Sequence, residues 1–351
     1  MERSAYIQSL DGLRGLAAFA VVLSHLSLML GVGIPGLHIG DESVALFFAL
    51  SGFLMAHLYG SKAFTREAVS DYLVHRFVRI YPVYLVAILF VIFLSYLPGF
   101  TYAQPITGAV QIVRHLAMIG STGVFWSVPP EIQFYLFFLL LWLCFEHPGR
   151  RQGLIAALLV GFVVAQHLGF PGPGIVLLSK IPYFLFGALA GRLFSTGWFR
   201  PNTASAGLAA LGLIAFFFLA KNVFVSPGPF WGTSTALIAT IIVYLTACEA
   251  PIARAVLSSP PLRFAGKISF SLYLFHMPIG YLTMAALPEG VPGWLRAVLF
   301  LAASLGVATL SYHAIEKPSR HLLLSLWKNR LRQRPAGPAS AAVPGSQGLS
   351  S

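Results

Sequence analysis

The sequence predicts an all-α polytopic membrane protein with about ten transmembrane helices and both termini in the cytoplasm. Of its 351 residues, 57% are hydrophobic and only 10% are charged, whereas a soluble globular domain carries about 25% charged residues. Apolar runs that approach the thickness of a bilayer recur along the chain. They fall at residues 12–33, 43–60, 80–98, 126–145, 152–170, 174–194, 204–224, 230–248, 264–287 and 291–314.

The distribution of basic residues predicts the orientation. With the N-terminus in the cytoplasm, 18 of the 23 lysines and arginines fall in inner segments and only 3 in outer loops. Such a bias is typical of the cytoplasmic side of membrane proteins. It also accounts for most of the net charge of +12, so no nucleic-acid partner is needed. We therefore expect a multi-pass protein of the cell inner (plasma) membrane, with the lipid bilayer as a partner.

The chain divides into a transmembrane domain at residues 1–327 and a C-terminal tail at 328–351. Most connections between the apolar runs are short, so no separate soluble domain is predicted. The tail begins with basic residues and becomes rich in Pro, Ala, Gly and Ser, a composition typical of disorder. We expect it to lie in the cytoplasm, with its arginines against anionic lipid headgroups.

The first apolar run contains Asp11, Arg14 and His25, although ionisable side chains are costly in hydrocarbon and are usually functional there. At ~100° per residue, Arg14 and His25 come to within about 20° of the same direction, ~16 Å apart along the helix. Asp11 precedes Arg14 by three residues and therefore shares its side of the helix. The alternative is a membrane anchor whose polar groups pair with neighbouring helices.

The fourth run begins with Ser127, Pro129 and Pro130, which suit a helix start because Ser caps helices and Pro is tolerated in the first turn. Glu131 follows, where the helix dipole favours a carboxylate. Helix rise places Glu131 ~8 Å and His25 ~12 Å from the outer ends of their spans. A carboxylate and an imidazole at one level can form an oriented general base. Alternatively, Glu131 only matches the dipole at the interface.

Basic residues of the third run indicate a second candidate site, which is positively charged. Arg76 and Arg79 lie one turn apart on a helix that enters the membrane from the cytoplasm, and Arg14 lies near the same surface. Planar guanidinium groups suit phosphate oxygens. These three arginines are therefore candidates for holding a phosphorylated ligand, with anchoring to lipid headgroups as the alternative for Arg76 and Arg79.

Further polar side chains in these runs are expected either to support the site or to serve helix packing. They are Ser51, Trp126, Ser127, Tyr135, Tyr273 and His276. The histidines outside the candidate site show no ligand spacing, so the sequence predicts no metal site. The chain also lacks a Gly-x-Ser-x-Gly nucleophile motif and a phosphate-binding glycine loop.

Six segments, taken in order, resemble the motifs of one family. They are SLDGLRGLAAFAVVLSHLS, FFALSGFL, RFVRIYPVY, WSVPPEIQFY, ISFSLYLFHMP and IEKP. Together they resemble the acyltransferase 3 family, bacterial integral membrane enzymes that O-acylate sugars and related acceptors. The resemblance covers nearly the whole membrane region. It implies transfer of an acyl group, usually acetyl, from cytoplasmic acyl-CoA to a hydroxyl group, with acyl-CoA as co-substrate and no permanently bound cofactor.

The resemblance also implies roles for individual residues. Arg14 and His25 correspond to the arginine and histidine of the family's first span, with His25 as the catalytic residue. Arg76 and Arg79 match the family's arginine pair. Glu131 matches the first acid of the motif in the fourth span.

Three features depart from the family pattern, and one of them is the pair Pro129–Pro130, which replaces small or apolar residues. Many members have an acid before Leu-Phe-Phe in the second span, where this chain has Ala45. A second acid often follows the first in the fourth span, where this chain has Ile132. These departures bear on the identity of the acceptor more than on the reaction.

The residues and the resemblance together predict an acyl-CoA-dependent O-acyltransferase. In this hypothesis His25, assisted by Glu131, removes the proton of an acceptor hydroxyl on a sugar, glycolipid, polysaccharide or glycosylated small molecule. The main alternative is a transporter or flippase of a lipid-linked sugar, with the same two residues as gating or proton-relay groups. The sequence shows no convincing internal repeat, which argues against transporter folds built on repeats.

Overall fold

The computed structural model describes residues 6–31, 39–146, 177–223 and 230–332, with single positions between 149 and 164. Within these ranges the regular structure is helical and contains no strand. The helices are α1 (Gln8–Met29), α2 (Gly40–Tyr59), α3 (Arg66–Ser95), α4 (Ala109–Leu116), α5 (Val128–Glu146), α6 (Leu177–Ser195), α7 (Ala204–Val223), α8 (Thr233–Ala247), α9 (Pro251–Leu257), α10 (Pro260–Ala286), α11 (Gly293–Ser311) and α12 (Lys317–Arg332). A 3₁₀ turn at Gly123–Ser127 precedes α5, and a π-helical turn at Tyr312–Glu316 joins α11 to α12.

A helix occupies each predicted apolar run except 152–170, which lies outside the continuous ranges that the structure describes. In the described ranges, six helices are long and apolar enough to cross a membrane. A seventh candidate arises if α8 and α9, bent by 96° at their junction, form one broken span. The all-helical membrane class is therefore confirmed. The count of about ten spans and the orientation of the termini remain predictions.

Small residues allow the helices around the site to approach closely. A Cβ atom on Gly52 of α2 would overlap the backbone carbonyl of Phe184 in α6, and a Cβ atom on Gly187 would overlap that of Ala49. Backbones in direct contact are typical of small-residue packing between membrane helices. The stretch FFALSGFL thus fixes α2 against α6.

The helices α1 and α10 are joined in the same way. A Cβ atom on Gly15 would overlap the carbonyl of Leu262, and one on Gly266 would overlap that of Asp11. This contact brings the polar side of α1 directly against the segment that carries Ser269, Tyr273 and His276.

An aromatic cluster locks α3 against α5. The Tyr72 hydroxyl donates to the carbonyl oxygen of Tyr135 at 3.0 Å, and the Trp142 indole donates to the carbonyl of Lys62 at 2.7 Å. Tyr72 and Trp142 are both fully buried. Because their polar atoms are satisfied, these large rings can fill the core without an unpaired donor. The cluster sets the position of the α3 arginines relative to Glu131.

The connection between α3 and α5 is organised around His115 at the end of α4. Its Nδ1 lies 2.8 Å from the Gln111 carbonyl, and its Nε2 accepts from the backbone N–H of Thr122 at 3.2 Å. The Tyr84 hydroxyl donates to the carbonyl of His115 at 3.0 Å. Burial lowers the pKa of His115, and the adjacent charge of Arg114 lowers it further. This connection supports the turn that carries Trp126.

The last described helix, α12, continues to Arg332, beyond residue 327, where the predicted tail begins. Its Trp327 indole donates to Asp71 Oδ1 of α3 at 3.3 Å. Residues 333–351 of the predicted tail lie outside the described ranges.

Candidate active site

Two cavities are lined by α1, α2 and α10, the first together with α3 and α5 and the second together with the segment that precedes α5. The first, which we name the arginine cavity, has an empty volume of about 740 Å³. Its polar lining consists of Arg14, Ser51, Arg76, Arg79, Ser127, Glu131, Tyr135, Ser269 and Tyr273. The second, which we name the histidine cavity, has an empty volume of about 1190 Å³. Its polar and aromatic lining consists of Ser24, His25, Asp41, Gln104, Trp126 and Tyr273.

The two cavities share a wall made by Val44 and Tyr273, which line both of them. The Tyr273 hydroxyl donates to the carbonyl of Val124 at 2.9 Å, so its ring is held in place between the cavities. Arg14 and His25 line different cavities, each on its own side of this wall.

Arg14 is held by its own helix and by α10. Its Nη1 lies 3.6 Å from Asp11 Oδ1, which confirms that Asp11 and Arg14 share one side of α1. Its Nη2 donates to Ser269 Oγ at 3.1 Å, while the Ser269 hydroxyl donates to the Gly266 carbonyl at 2.8 Å. The hydroxyl proton is therefore directed away from the guanidinium, and a lone pair faces Arg14. Tyr6 also donates to the Asp11 carboxylate.

Arg76 is buried, with 8% of its surface exposed, in the wall of the arginine cavity. Its guanidinium carbon lies 5.9 Å from the ring centres of both Tyr59 and Tyr135. Its Nε has no hydrogen-bond partner among the described residues. Arg79, one turn later, lines the same cavity and lies within electrostatic range of Arg14. The three arginines predicted from the sequence are therefore brought together.

Glu131 also belongs to the arginine cavity. Its Oε1 accepts from the Tyr135 hydroxyl at 2.5 Å and from Ser51 Oγ at 3.3 Å. Its carboxylate is within electrostatic range of Arg14. Ser51 and Tyr135, predicted as supporting residues, therefore contact the predicted acid directly.

His25 lines the histidine cavity and contacts His276. The His25 Nδ1 lies 2.8 Å from the His276 Nε2. His276 is fully buried, and its Nδ1 lies 2.8 Å from the carbonyl oxygen of Tyr273 and 3.1 Å from that of Leu272. His276 thus stands between His25 and the backbone of α10.

The two residues predicted to perform the chemistry are therefore in separate cavities. No hydrogen bond joins His25 to Glu131 in the described part of the chain. The acid that shares a cavity with His25 is Asp41, in the first turn of α2. Asp41 lies one helical turn before Ala45, the position where many acyltransferase 3 members have an acid.

Sequence reasoning missed Asp41 and Gln104 in the histidine cavity. The feature that could have indicated Asp41 is its place in the first turn of α2. An acid at that place is also explained by its favourable interaction with the helix dipole. Gln104 belongs to an irregular connection, where no periodicity indicates which side chains face inward. Lys180 lies within α6 and is not among the predicted site residues. Its ammonium lies 3.5 Å from the ring centre of Trp231 and 5.6 Å from that of Trp126, a cation–π contact.

The positively charged end of the site extends to the start of α12. Ser271 donates to Glu316 Oε2 at 3.0 Å, and Glu316 lies within electrostatic range of Arg14, Arg79 and Arg320. The IEKP segment therefore places an acid beside the arginine cavity. Among the described residues, no group of three or more His, Cys, Asp or Glu side chains could hold a metal ion.

The chain is similar in sequence to known acyltransferases. Residues 7–313 match the model of the acyltransferase 3 family, described as an acyltransferase domain. The peptidoglycan O-acetyltransferase OatA of Listeria monocytogenes is 28% identical, over 90% of this chain and 56% of that protein. The acyltransferase MdmB of Streptomyces mycarofaciens is 28% identical, over 92% of this chain and 93% of that protein.

A third relative, the O-acetyltransferase OatA of Staphylococcus aureus, is 22% identical over 90% of this chain and 57% of that protein. The chain thus spans little more than half the length of the two OatA proteins. No solved structure matches the chain significantly. Because the family model covers most of the sequence, the chain belongs to the acyltransferase 3 family.

Proposed function

We propose that this protein is a membrane-embedded O-acyltransferase that moves an acyl group from cytoplasmic acyl-CoA to a hydroxyl of a sugar or glycoconjugate. The proposed acyl group is acetyl. The observation that carries the proposal is the pair of cavities on the two sides of Val44 and Tyr273. One contains three arginines and the other a histidine, so the groups suited to a phosphorylated donor and to proton removal are separated but adjacent. The relatives that are peptidoglycan O-acetyltransferases support the same reaction class.

The donor binds in the arginine cavity. Arg14, Arg76 and Arg79 hold the phosphates of CoA, because guanidinium groups form charge-assisted hydrogen bonds with phosphate oxygens. The unused Nε of Arg76 is one such donor. The pantetheine arm then extends toward Tyr273, over a distance comparable with the rise of ~16 Å from Arg14 to His25 along α1.

The acceptor binds in the histidine cavity. Trp126 offers an aromatic face, and Asp41 and Gln104 offer polar groups around it. A cavity with an aromatic wall and a few convergent polar groups is typical of a small-molecule site. We propose that one sugar unit of the acceptor lies there, with a hydroxyl directed at His25.

His25 acts as the general base. It takes the proton of the acceptor hydroxyl as the oxygen attacks the thioester carbonyl. A carbon–oxygen bond forms, the carbon–sulfur bond breaks, and the imidazolium returns the proton to the departing CoA sulfur. Glu131 assists from the arginine cavity: it orients Tyr135 and Ser51 by hydrogen bonds and balances the positive charge of the arginines.

The proposal is tested with the purified protein in lipid nanodiscs. We expect it to release CoA from acetyl-CoA and to acetylate a glycan acceptor. Mass spectrometry of surface glycans and small metabolites from a deletion strain, compared with its parent, identifies the acceptor by the loss of an acetyl mass. The same protein in proteoliposomes distinguishes the acyltransferase from a transporter. Movement of a lipid-linked sugar without CoA release would establish a transporter and refute the proposal.

A further inference from the structure

We infer that His276 is a positioning residue that fixes the tautomer of His25, so that the Nε2 of His25 carries the lone pair used as a base. The inference deepens the proposed function and rests on it for its effect on turnover. It follows from the hydrogen bonds of two histidines that lie 251 residues apart in the sequence.

The tautomer of His276 is set by the backbone of α10. Its Nδ1 lies 2.8 Å from the Tyr273 carbonyl and 3.1 Å from the Leu272 carbonyl. A carbonyl oxygen has no hydrogen to donate, so this Nδ1 must carry the proton. The ring is fully buried, and no carboxylate lies within 4.0 Å of it among the described residues. A neutral ring with a proton on Nδ1 has a lone pair on Nε2.

His25 must then donate to His276. Its Nδ1 lies 2.8 Å from the His276 Nε2, and two lone pairs cannot form a hydrogen bond at that distance. Nδ1 of His25 therefore carries the proton, and a neutral His25 has its lone pair on Nε2.

The chemical consequence concerns which nitrogen can remove a proton. With Nδ1 engaged by His276, only Nε2 of His25 is available to an acceptor hydroxyl in the histidine cavity. A base that is held in one tautomer does not need to rearrange before each turnover, which is the role that the partner of a catalytic histidine commonly has. His276 touches no substrate and acts only through His25.

Two matched variants of His276 separate positioning from packing. In His276→Gln, the amide oxygen stands the same number of bonds from Cα as Nε2 and can accept from His25. In His276→Asn, the amide reaches only as far as Nδ1, so His25 loses its acceptor. Both side chains are amides that are smaller than His, and they differ from each other by one methylene group. We expect kcat of the Asn variant to be about 100-fold lower than that of the Gln variant, with little change in KM.

The tautomer itself is measured by nitrogen NMR on protein labelled with ¹⁵N-histidine, and the His25→Ala variant identifies the signals of His25. We expect a protonated Nδ1 and an unprotonated Nε2 in the wild-type protein and in His276→Gln, but mixed tautomers in His276→Asn. A protonated Nε2 in the neutral wild-type ring would overturn the inference, as would equal kcat in the two variants. The proposed function fails separately, if His25→Ala retains full turnover while the tautomer is as stated.

Discussion

Arg76 is the most enclosed of the three arginines that line the arginine cavity, and its buried Nε has no hydrogen-bond partner among the described residues. A buried guanidinium with an unused donor is costly unless a ligand satisfies it. The planar group also lies between the rings of Tyr59 and Tyr135. A lysine would keep the charge but lose the planar set of donors.

We expect Arg14→Ala to weaken acyl-CoA binding about 10- to 100-fold, because a charge-assisted hydrogen bond contributes about 1.5–3 kcal/mol. Arg76→Lys should weaken it as well, although it conserves the charge. Isothermal titration with a non-hydrolysable acyl-CoA analogue measures the change. The exposed Arg254 provides the control, since Arg254→Ala should bind as the wild type does. Unchanged affinity in Arg14→Ala would place the phosphates elsewhere.

His25 provides the second prediction at this scale. General-base assistance is worth about 10²–10⁴-fold, so His25→Ala should lose turnover by that factor while binding acyl-CoA normally. Release of CoA in the presence of acceptor is the measurement. The exposed His313 is the matched control, because His313→Ala removes an imidazole that lines neither cavity. A His25→Ala enzyme with the wild-type rate would remove His25 from the mechanism.

At the scale of elements, the sequence predicts which residues lie on the same side of one helix. It does not predict which residues of two different helices face each other. The pair Asp11–Arg14 follows from three-residue spacing and is observed. The pair His25–His276 joins α1 to α10, and no local pattern indicates it. The position of α1 along α10 depends on glycine contacts such as Gly15 with Leu262. These contacts can be identified only when both helices are in place.

For the same reason, the sequence does not predict whether Glu131 contacts His25. Helix rise gave Glu131 and His25 similar depths, but depth does not say which side of each helix faces which cavity. The structure directs Glu131 to Tyr135 and Ser51 and leaves Asp41 as the acid that shares a cavity with His25. The arginines were easier to group, since Arg76 and Arg79 share one helix.

The connection around α4 should respond to pH through His115. Burial gives the folded protein a lower pKa at this residue than the unfolded chain has, so the unfolded state binds more protons. Stability should therefore fall as the pH drops below about 6.5, the usual value for histidine. Protonation also removes the lone pair that accepts from the Thr122 N–H.

Thermal unfolding in nanodiscs between pH 5 and pH 8 measures this dependence. In His115→Gln, the amide oxygen can still accept from Thr122 but cannot be protonated. We expect the melting temperature of this variant to depend less on pH than that of the wild type. Identical pH dependence in the two proteins would show that other groups cause the effect.

At the scale of the whole molecule, the fold holds the arginine cavity and the histidine cavity apart. The aromatic cluster of Tyr72 and Trp142 fixes α3 against α5, and glycine contacts fix α2 against α6. Both sets of contacts surround the arginine cavity with closely packed backbone. Under the proposed function, only the end of the donor needs to reach the wall formed by Val44 and Tyr273.

This wall should limit the length of the transferred acyl group. We expect Val44→Ala to raise the relative rates with propionyl-CoA and butyryl-CoA compared with acetyl-CoA, since it removes two methyl groups beside the path. Product masses from mixtures of the three donors give the preference. Val91, which is equally enclosed but lines neither cavity, supplies the control in Val91→Ala. An unaltered preference in Val44→Ala would mean that chain length is selected elsewhere.

The shared wall has a consequence for the permeability of the membrane. Val44 and Tyr273 border both cavities. Under the proposed function, an acetyl group would therefore pass between the cavities while CoA and the glycan each stay on their own side of this wall. The bilayer would then need no pore wide enough for either large molecule, and its permeability barrier would be preserved during turnover.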